Sequence, residues 1–153
     1  MRNILLVDPD MLSRNIIEND IRLQDYKLFL ASHGGEALEI LEDYSIDCVV
    51  IDLDVEHVNG LEIIDLLQRN IRRPWIIATC RHKDLRSDYP WLELATTIGA
   101  DEILTKPYCL DQLLDRFPSE IVNARQPVVE VMVHNVRPKC CAQRSGFAHQ
   151  LSA

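Results

Sequence analysis

The chain has 153 residues, of which 47% are hydrophobic and 26% charged, and its net charge is -8. This length suits one domain rather than two, and no apolar run approaches the roughly 20 residues that span a bilayer. Residues 119–153 hold four basic and two acidic residues, so residues 1–118 hold 12 and 22, a net charge of -10. Such an acidic body lacks the clustered Lys and Arg that bind phosphate backbones. We therefore expect protein partners, with no direct nucleic acid binding and no membrane association.

The N-terminus and the cysteines predict a cytoplasmic protein. Met1-Arg2-Asn3 runs directly into the apolar stretch Ile4 to Val7, without the length or the cleavage site of a signal peptide. The five cysteines form no regular framework, which indicates reduced thiols.

The first half of the chain alternates short apolar runs with amphipathic stretches. Strands are predicted at Asn3 to Val7, Lys27 to Ala31 and Cys48 to Leu53. Helical spacing predicts one helix in residues 11–23, a second after Gly34-Gly35 and a third that opens at Gly60. The side chains expected to face the core are Leu12, Ile16, Ile17 and Leu23 in the first helix, Ala37, Leu38, Leu41 and Tyr44 in the second, and Leu61, Ile64 and Leu67 in the third.

The second half continues the alternation. Trp75 to Ala78 is a predicted fourth strand, and Glu102 to Thr105 is a short fifth strand that ends at Lys106-Pro107. A fourth helix is expected to stop at Gly99, and a last helix at Asp111 to Phe117. Their expected core side chains are Trp91, Leu94, Ala95 and Ile98, then Leu110, Leu113, Leu114 and Phe117.

Five strands that alternate with five helices predict a doubly wound α/β fold, with a parallel sheet and helices on both faces. We assign residues 1–118 to this domain. The pattern weakens past Pro118, so residues 119–153 are a C-terminal tail or linker without an assigned role.

Polar residues fall at the ends of four predicted strands. Asp8 follows the first, Asp52 lies at the end of the third, Thr79 follows the fourth and Lys106 follows the fifth. The carboxyl ends of parallel strands meet at one edge, where α/β sheets bind ligands, so these side chains should lie together. Each has an ordinary explanation when taken alone, such as a turn-forming Asp or a solvated Lys. Together they suit a specific reaction.

That reaction is phosphoryl transfer to an aspartate. The two carboxylates can hold Mg²⁺ together with water, and the hydroxyl and the ammonium can contact phosphoryl oxygens. Asp52 is then the nucleophile. We also expect the Lys106-Pro107 peptide bond to be cis. The free-energy cost of a cis bond is small only before proline, and a tight turn here would aim the lysine at Asp52.

Over about residues 3–117 the chain resembles the receiver domain of two-component response regulators. The resemblance is carried by Asp8, Asp52, Asn59-Gly60-Leu61-Glu62, Thr79, Gly99-Ala100-Asp101 and Lys106-Pro107. It implies a flavodoxin-like sheet of strand order 2-1-3-4-5 and an aspartyl phosphate on Asp52, with Thr79 and Lys106 gripping the phosphoryl group. It also implies Mg²⁺ held by Asp8, Asp52 and the backbone carbonyl of Asp54, with Asp10 as a further candidate ligand.

The same resemblance implies a phosphorelay signalling protein rather than an enzyme, apart from self-catalysed phosphorylation and dephosphorylation. The expected phosphodonor is a histidine kinase or a phosphotransfer protein, and the output is an unidentified downstream protein. A homodimer through the fourth helix, the fifth strand and the fifth helix is a further expectation.

Four positions depart from the family pattern. Pro9 stands where a second acid is usual, which predicts weak Mg²⁺ binding. Glu56 replaces the usual proline, Asp54 adds negative charge near Asp52, and Ile103 replaces the usual aromatic switch residue. These departures keep open an alternative, a receiver-like binding module that acts without efficient phosphorylation. The paired Asp-x-Asp sequences at Asp8 and Asp52 also allow a haloacid-dehalogenase-type aspartyl phosphatase, which we rank last.

Overall fold

The computed structural model describes residues 2–81 and 91–118, in which five strands alternate with five α-helices. The strands are β1 (Arg2–Val7), β2 (Tyr26–Ala31), β3 (Cys48–Asp52), β4 (Trp75–Arg81) and β5 (Glu102–Lys106). The helices are α1 (Met11–Glu18), α2 (Gly34–Asp43), α3 (Gly60–Gln68), α4 (Trp91–Ile98) and α5 (Leu110–Leu114), and a short 3₁₀ helix spans Ile21–Leu23. The predicted tail, residues 119–153, lies outside the described residues.

The sheet is parallel throughout and has the order β2-β1-β3-β4-β5, which confirms the predicted fold class. All five residues of the central strand β3 are buried. A parallel sheet is covered by helices on both faces, which is why its inner strands need continuous apolar runs rather than alternation. The carboxyl ends of β1, β3, β4 and β5 consequently share one edge.

Two hydrophobic cores lie on opposite faces of the sheet. Leu5 and Val49 face α2, α3 and α4, whereas Ile4 and Val50 face α1 and α5. Each fully buried aliphatic side chain of this kind stabilises the fold by about 1.5–3 kcal/mol, so the two cores fix the sheet rigidly. No helix in the described part of the chain is long and apolar enough to cross a membrane.

The first predicted helix is wrong in length and partly wrong in orientation. α1 ends at Glu18, and the rest of the predicted 11–23 segment forms the separate 3₁₀ helix. Ile17 and Leu23 are buried as expected, but Leu12 and Ile16 are 68% and 70% exposed. Leu12 and Ile16 share a stripe that is rotated away from Ile17, and only the stripe with Ile17 faces the sheet.

Other differences concern element ends and exposed apolar residues. β4 continues through Thr79 to Arg81, and α5 runs from Leu110 to Leu114 instead of from Asp111 to Phe117. Trp91 and Leu94 of α4 are 43% and 41% exposed, although they were expected in the core. The eight-residue α4 buries Ala95, and Leu92 and Ile98 pack against the same core, so Trp91 and Leu94 lie on the outward side of the helix.

Tyr44 was also predicted on the core face of the second helix. It instead follows α2 as the C-cap and is 45% exposed. Its ring packs on Phe29 of β2 with a centroid distance of 4.6 Å, and the Lys27 ammonium lies over both rings. The aromatic pair covers the outer edge of the sheet rather than its interior.

Candidate functional site

Three polar side chains are buried at the carboxyl edge of the sheet. Asp8, Asp52 and Thr79 are 1%, 2% and 1% exposed, and they are the buried polar residues of the described part of the chain. Asp8 directly follows β1, Asp52 ends β3, and Thr79 pairs with Asp52 in the ladder between β3 and β4. Buried polar groups need partners, since an unpaired buried charge is strongly destabilising.

The partner of both carboxylates is Lys106, the last residue of β5. Its Nζ donates to Asp8 Oδ2 at 2.6 Å and also donates to Asp52 Oδ2. Burial opposes the lysine's charge, but the hydrogen bonds and charges of Asp52 and Asp8 outweigh burial and raise the pKa of Lys106. The ammonium therefore stays charged and ties the ends of β1, β3 and β5 together.

The second oxygen of each carboxylate accepts a backbone hydrogen bond from two residues further on. Asp8 Oδ1 accepts from the Asp10 N–H and Asp52 Oδ1 from the Asp54 N–H, both at 2.9 Å. The bond to Asp8 passes over residue 9, so the missing N–H of Pro9 leaves this turn intact. Both carboxylates are thus oriented by the backbone before any ligand arrives.

Thr79 is held more loosely. Its hydroxyl donates to the Ile51 carbonyl at 3.5 Å, which is long for an O–H···O bond. The backbone around it is well fixed, because the Leu53 N–H donates to the Thr79 carbonyl at 2.8 Å. The hydroxyl can therefore turn to a new acceptor while the strand stays in place.

Asp10 is engaged in capping the first helix. It is the N-cap of α1, and its carboxylate accepts from the Leu12 N–H at 3.0 Å and from the Ser13 hydroxyl at 3.1 Å. These two hydrogen bonds lower the pKa of Asp10. A metal ion would have to compete with the helix cap for this carboxylate.

The start of α3 lies directly behind Asp52. A Cβ on Gly60 would be 2.9 Å from the Asp52 carbonyl oxygen and 3.0 Å from Leu53 Cα, so only glycine fits here. Asn59 caps this helix by accepting from the Leu61 N–H at 3.0 Å. On the other side of the site the Lys106-Pro107 bond is cis, which confirms the expectation from the sequence.

Comparison with known proteins assigns the chain to a family. Residues 4–117 match the family model for the response regulator receiver domain. The chain belongs to the receiver domain family. Receiver domains are signalling domains that interact with histidine kinases or phosphotransfer proteins, and the match favours the phosphorelay function over the binding-module and phosphatase alternatives.

Individual relatives agree with this assignment. Transcriptional regulatory protein CpxR of Escherichia coli K12 is 29% identical over 116 residues, which is 76% of this chain and 47% of CpxR. The receiver domain thus spans about half the length of that curated relative.

Solved structures agree as well. A receiver domain protein from Clostridium thermocellum is 25% identical, with a TM-score of 0.67 over 81% of this chain and 94% of that one. The regulator TrrA from Thermotoga maritima, solved in complex with Mg²⁺-BeF, is 26% identical, with a TM-score of 0.62 over 76% of this chain and 96% of that one.

The receiver domain family binds Mg²⁺, and the residues present here fit that ion. Asp8 and Asp52 offer hard oxygen donors beside a cleft of about 370 Å³ that is lined by Pro9, Asp10, Asp52, Asp54 and Arg81. In the described residues, no three Asp, Glu, His or Cys side chains are grouped to hold a metal ion. Two carboxylates supplemented by backbone carbonyls and water are a usual set for Mg²⁺, which keeps several of its waters.

Two side chains near the cleft were not among the candidates predicted from the sequence. Arg81 ends β4 two residues after Thr79, and a strand's period of two puts them on the same face, so the sequence held this signal. Tyr108 lies just after Lys106, and burial together with the charges of Asp8 and Asp52 raises its pKa. It lines an adjoining cavity of about 420 Å³ between α1 and the loop before α5.

Proposed function

We propose that Asp52 accepts a phosphoryl group from a histidine kinase or phosphotransfer protein and that the resulting aspartyl phosphate switches a protein-binding surface. The observation that carries this proposal is the buried pair of carboxylates joined by Lys106 Nζ, with the Thr79 hydroxyl beside them. This arrangement presents one carboxylate with cationic and hydroxyl contacts ready for phosphoryl oxygens.

The chemistry follows from these positions. An Asp52 carboxylate oxygen attacks phosphorus while the P–N bond of a phosphohistidine donor breaks, and the imidazole nitrogen takes the electron pair and a proton. Lys106 stays charged and neutralises part of the phosphoryl charge, while Thr79 turns its hydroxyl toward a phosphoryl oxygen. Mg²⁺, when bound by Asp8, Asp52 and the Asp54 carbonyl, supplies further charge neutralisation. Hydrolysis of the aspartyl phosphate by water resets Asp52.

Labelling with a small phosphodonor tests this function. We expect the wild-type chain, incubated with acetyl phosphate and millimolar Mg²⁺, to gain one phosphoryl group that peptide mapping places on Asp52. Labelling should disappear when EDTA removes the metal. If no adduct forms at any Mg²⁺ concentration or with a histidine kinase, the chain acts as a binding module instead.

Pro9 determines how tightly we expect the cation to bind. Pro9→Asp should tighten Mg²⁺ binding about tenfold, because a second acidic side chain beside Asp8 adds a ligand and negative charge. The wild-type chain should bind Mg²⁺ in the millimolar range or more weakly. Calorimetric titration of both proteins with Mg²⁺ measures this difference.

Pro9→Ala is the matched control for that titration, because it removes the ring without adding an acid. Its Mg²⁺ affinity should equal that of the wild type. Equal affinities for all three proteins, all of them tight, would show that Asp10 gives up the α1 cap to serve as the missing ligand.

We further propose that the output surface comprises α4, β5 and α5. Trp91, Leu94 and Ile103 expose 43%, 41% and 36% of their area on the first two of these elements, which pack together. An exposed apolar surface of this kind commonly marks a protein interface. Phosphorylation would bias it through Thr79 and Lys106, and the short side chain of Ile103 predicts a smaller shift than an aromatic switch gives. We expect a homodimer or a downstream protein to bind here, in the cytoplasm.

Leu94→Glu tests the output surface. Sedimentation of the phosphorylated wild type should show self-association that this variant reduces about tenfold, since a carboxylate would be buried in the interface. Ile71→Glu is the control, because Ile71 is fully exposed in the turn before β4 and belongs to none of these three elements. An equal effect of both substitutions would contradict the assignment, as would a phosphorylated wild type that remains a monomer.

A further inference from the structure

Arg81 places a second cation, besides Lys106, at the entrance of the 370 Å³ cleft next to Asp52. It is the last residue of β4, pairs with Lys106 in the β4–β5 ladder and lines the cleft together with Asp52 and Asp54. Its side chain is 58% exposed, so the guanidinium lies at the entrance rather than inside. An anion in this cleft therefore lies near the guanidinium.

The contact that Arg81 makes with Asp10 is weak. Its Nη2 lies 3.5 Å from Asp10 Oδ2, and that carboxylate already accepts from Leu12 and Ser13 to cap α1. An exposed ion pair at this distance adds little to the stability of a fold. The guanidinium can leave Asp10 for a better partner at little cost.

The charges of the cleft indicate what that partner is. Asp10, Asp52 and Asp54 line the cleft, and the buried ammonium of Lys106 is shared by Asp8 and Asp52. A phosphoryl group brings about -1.5 to -2 further charges into this acidic surrounding. A guanidinium matches two phosphoryl oxygens with parallel N–H bonds, a geometry that an ammonium cannot offer.

We propose that Arg81 is a tethered cation with two alternative partners: Asp10 when the cleft is empty, and the phosphoryl oxygens of the incoming donor or of the aspartyl phosphate when it is filled. This role rests on the proposed function of Asp52 as acceptor. It also gives Arg81 opposite effects on two ligands, because its positive charge attracts the phosphodonor and repels Mg²⁺.

Removing the charge should separate these two effects. For Arg81→Gln we expect the acetyl phosphate concentration that gives half-maximal labelling rate to rise about tenfold, as charged hydrogen bonds are lost. In the absence of phosphodonor, Mg²⁺ should bind about threefold more tightly by calorimetry. Arg81→Lys should keep the wild-type Mg²⁺ affinity, because the charge remains, but should recover only part of the donor affinity.

Arg69→Gln is the matched control, since Arg69 pairs with Asp65 on the exposed side of α3 and lies outside the cleft. Its Mg²⁺ affinity and its acetyl phosphate concentration for half-maximal labelling rate should equal those of the wild type. If Arg81→Gln behaves like Arg69→Gln, or weakens both ligands together, Arg81 is not a tethered cation. If the wild type accepts no phosphoryl group at all, the proposed function fails and the role of Arg81 fails with it.

Discussion

Asp52→Asn should abolish phosphoryl labelling by acetyl phosphate and by any histidine kinase. The substitution keeps the size of the side chain and its place at the end of β3, but an amide oxygen is not a competent nucleophile toward phosphorus. We expect the rate to fall at least about a thousandfold, which corresponds to about 4 kcal/mol in the barrier. Intact-mass measurement of the labelled protein gives this rate directly.

Asp54→Asn is the control for that loss. The Asp54 side chain is exposed, and its backbone N–H, which survives the substitution, is what orients Asp52. Labelling of this variant should therefore stay within a few-fold of the wild-type rate, with the adduct on Asp52. Labelling that survives Asp52→Asn and disappears with Asp54→Asn would move the nucleophile to Asp54.

Lys106→Met should destabilise the metal-free fold by about 3 kcal/mol, because it leaves two buried carboxylates without their cation. The side chains of Lys106, Asp8 and Asp52 are 10%, 1% and 2% exposed, so water compensates little for the lost partner. Urea unfolding at neutral pH measures the difference. Mg²⁺ should restore part of the lost stability, since it replaces the missing positive charge and binds only the folded state.

The difference in folding stability between the wild type and Lys106→Met should also depend on pH. The pKa of Lys106 is raised in the folded state, so its stabilising contribution is complete below the unfolded value of about 10.4 and is lost as the pH rises through the folded value. The stabilities of the wild type and Lys106→Met should therefore begin to converge as the pH rises past about 10.4, and should meet only above the raised folded pKa of Lys106.

Lys27→Met provides the same substitution at an exposed site. Lys27 lies over the Phe29 and Tyr44 rings at the sheet edge, and an exposed cation–π contact contributes about 0.5–1 kcal/mol. The loss of folding stability in Lys27→Met should therefore be small, and Mg²⁺ should not change it. An equally small loss for Lys106→Met would show that solvent, rather than Lys106, balances the charges of Asp8 and Asp52.

The sheet and the residues of its polar edge could be predicted from the sequence. Strands buried on both faces require unbroken apolar runs, so β1, β3 and β4 were visible as short hydrophobic segments. The parallel arrangement then places every strand's carboxyl end at one edge, which is why Asp8, Asp52 and Lys106 could be grouped from the sequence.

The orientation of the helices and the partners of individual side chains could not be predicted in this way, because they depend on packing. Helical spacing defines a stripe but not the direction in which it points, so only packing showed that Ile17 faces the sheet while Leu12 and Ile16 face outward. Two further features depend on distances of a few ångströms. Asp10 caps α1 instead of facing a metal ion unopposed, and Arg81 lies beside Asp10. Those distances are set by how α1 and β4 pack on the sheet, which no local pattern in the sequence encodes.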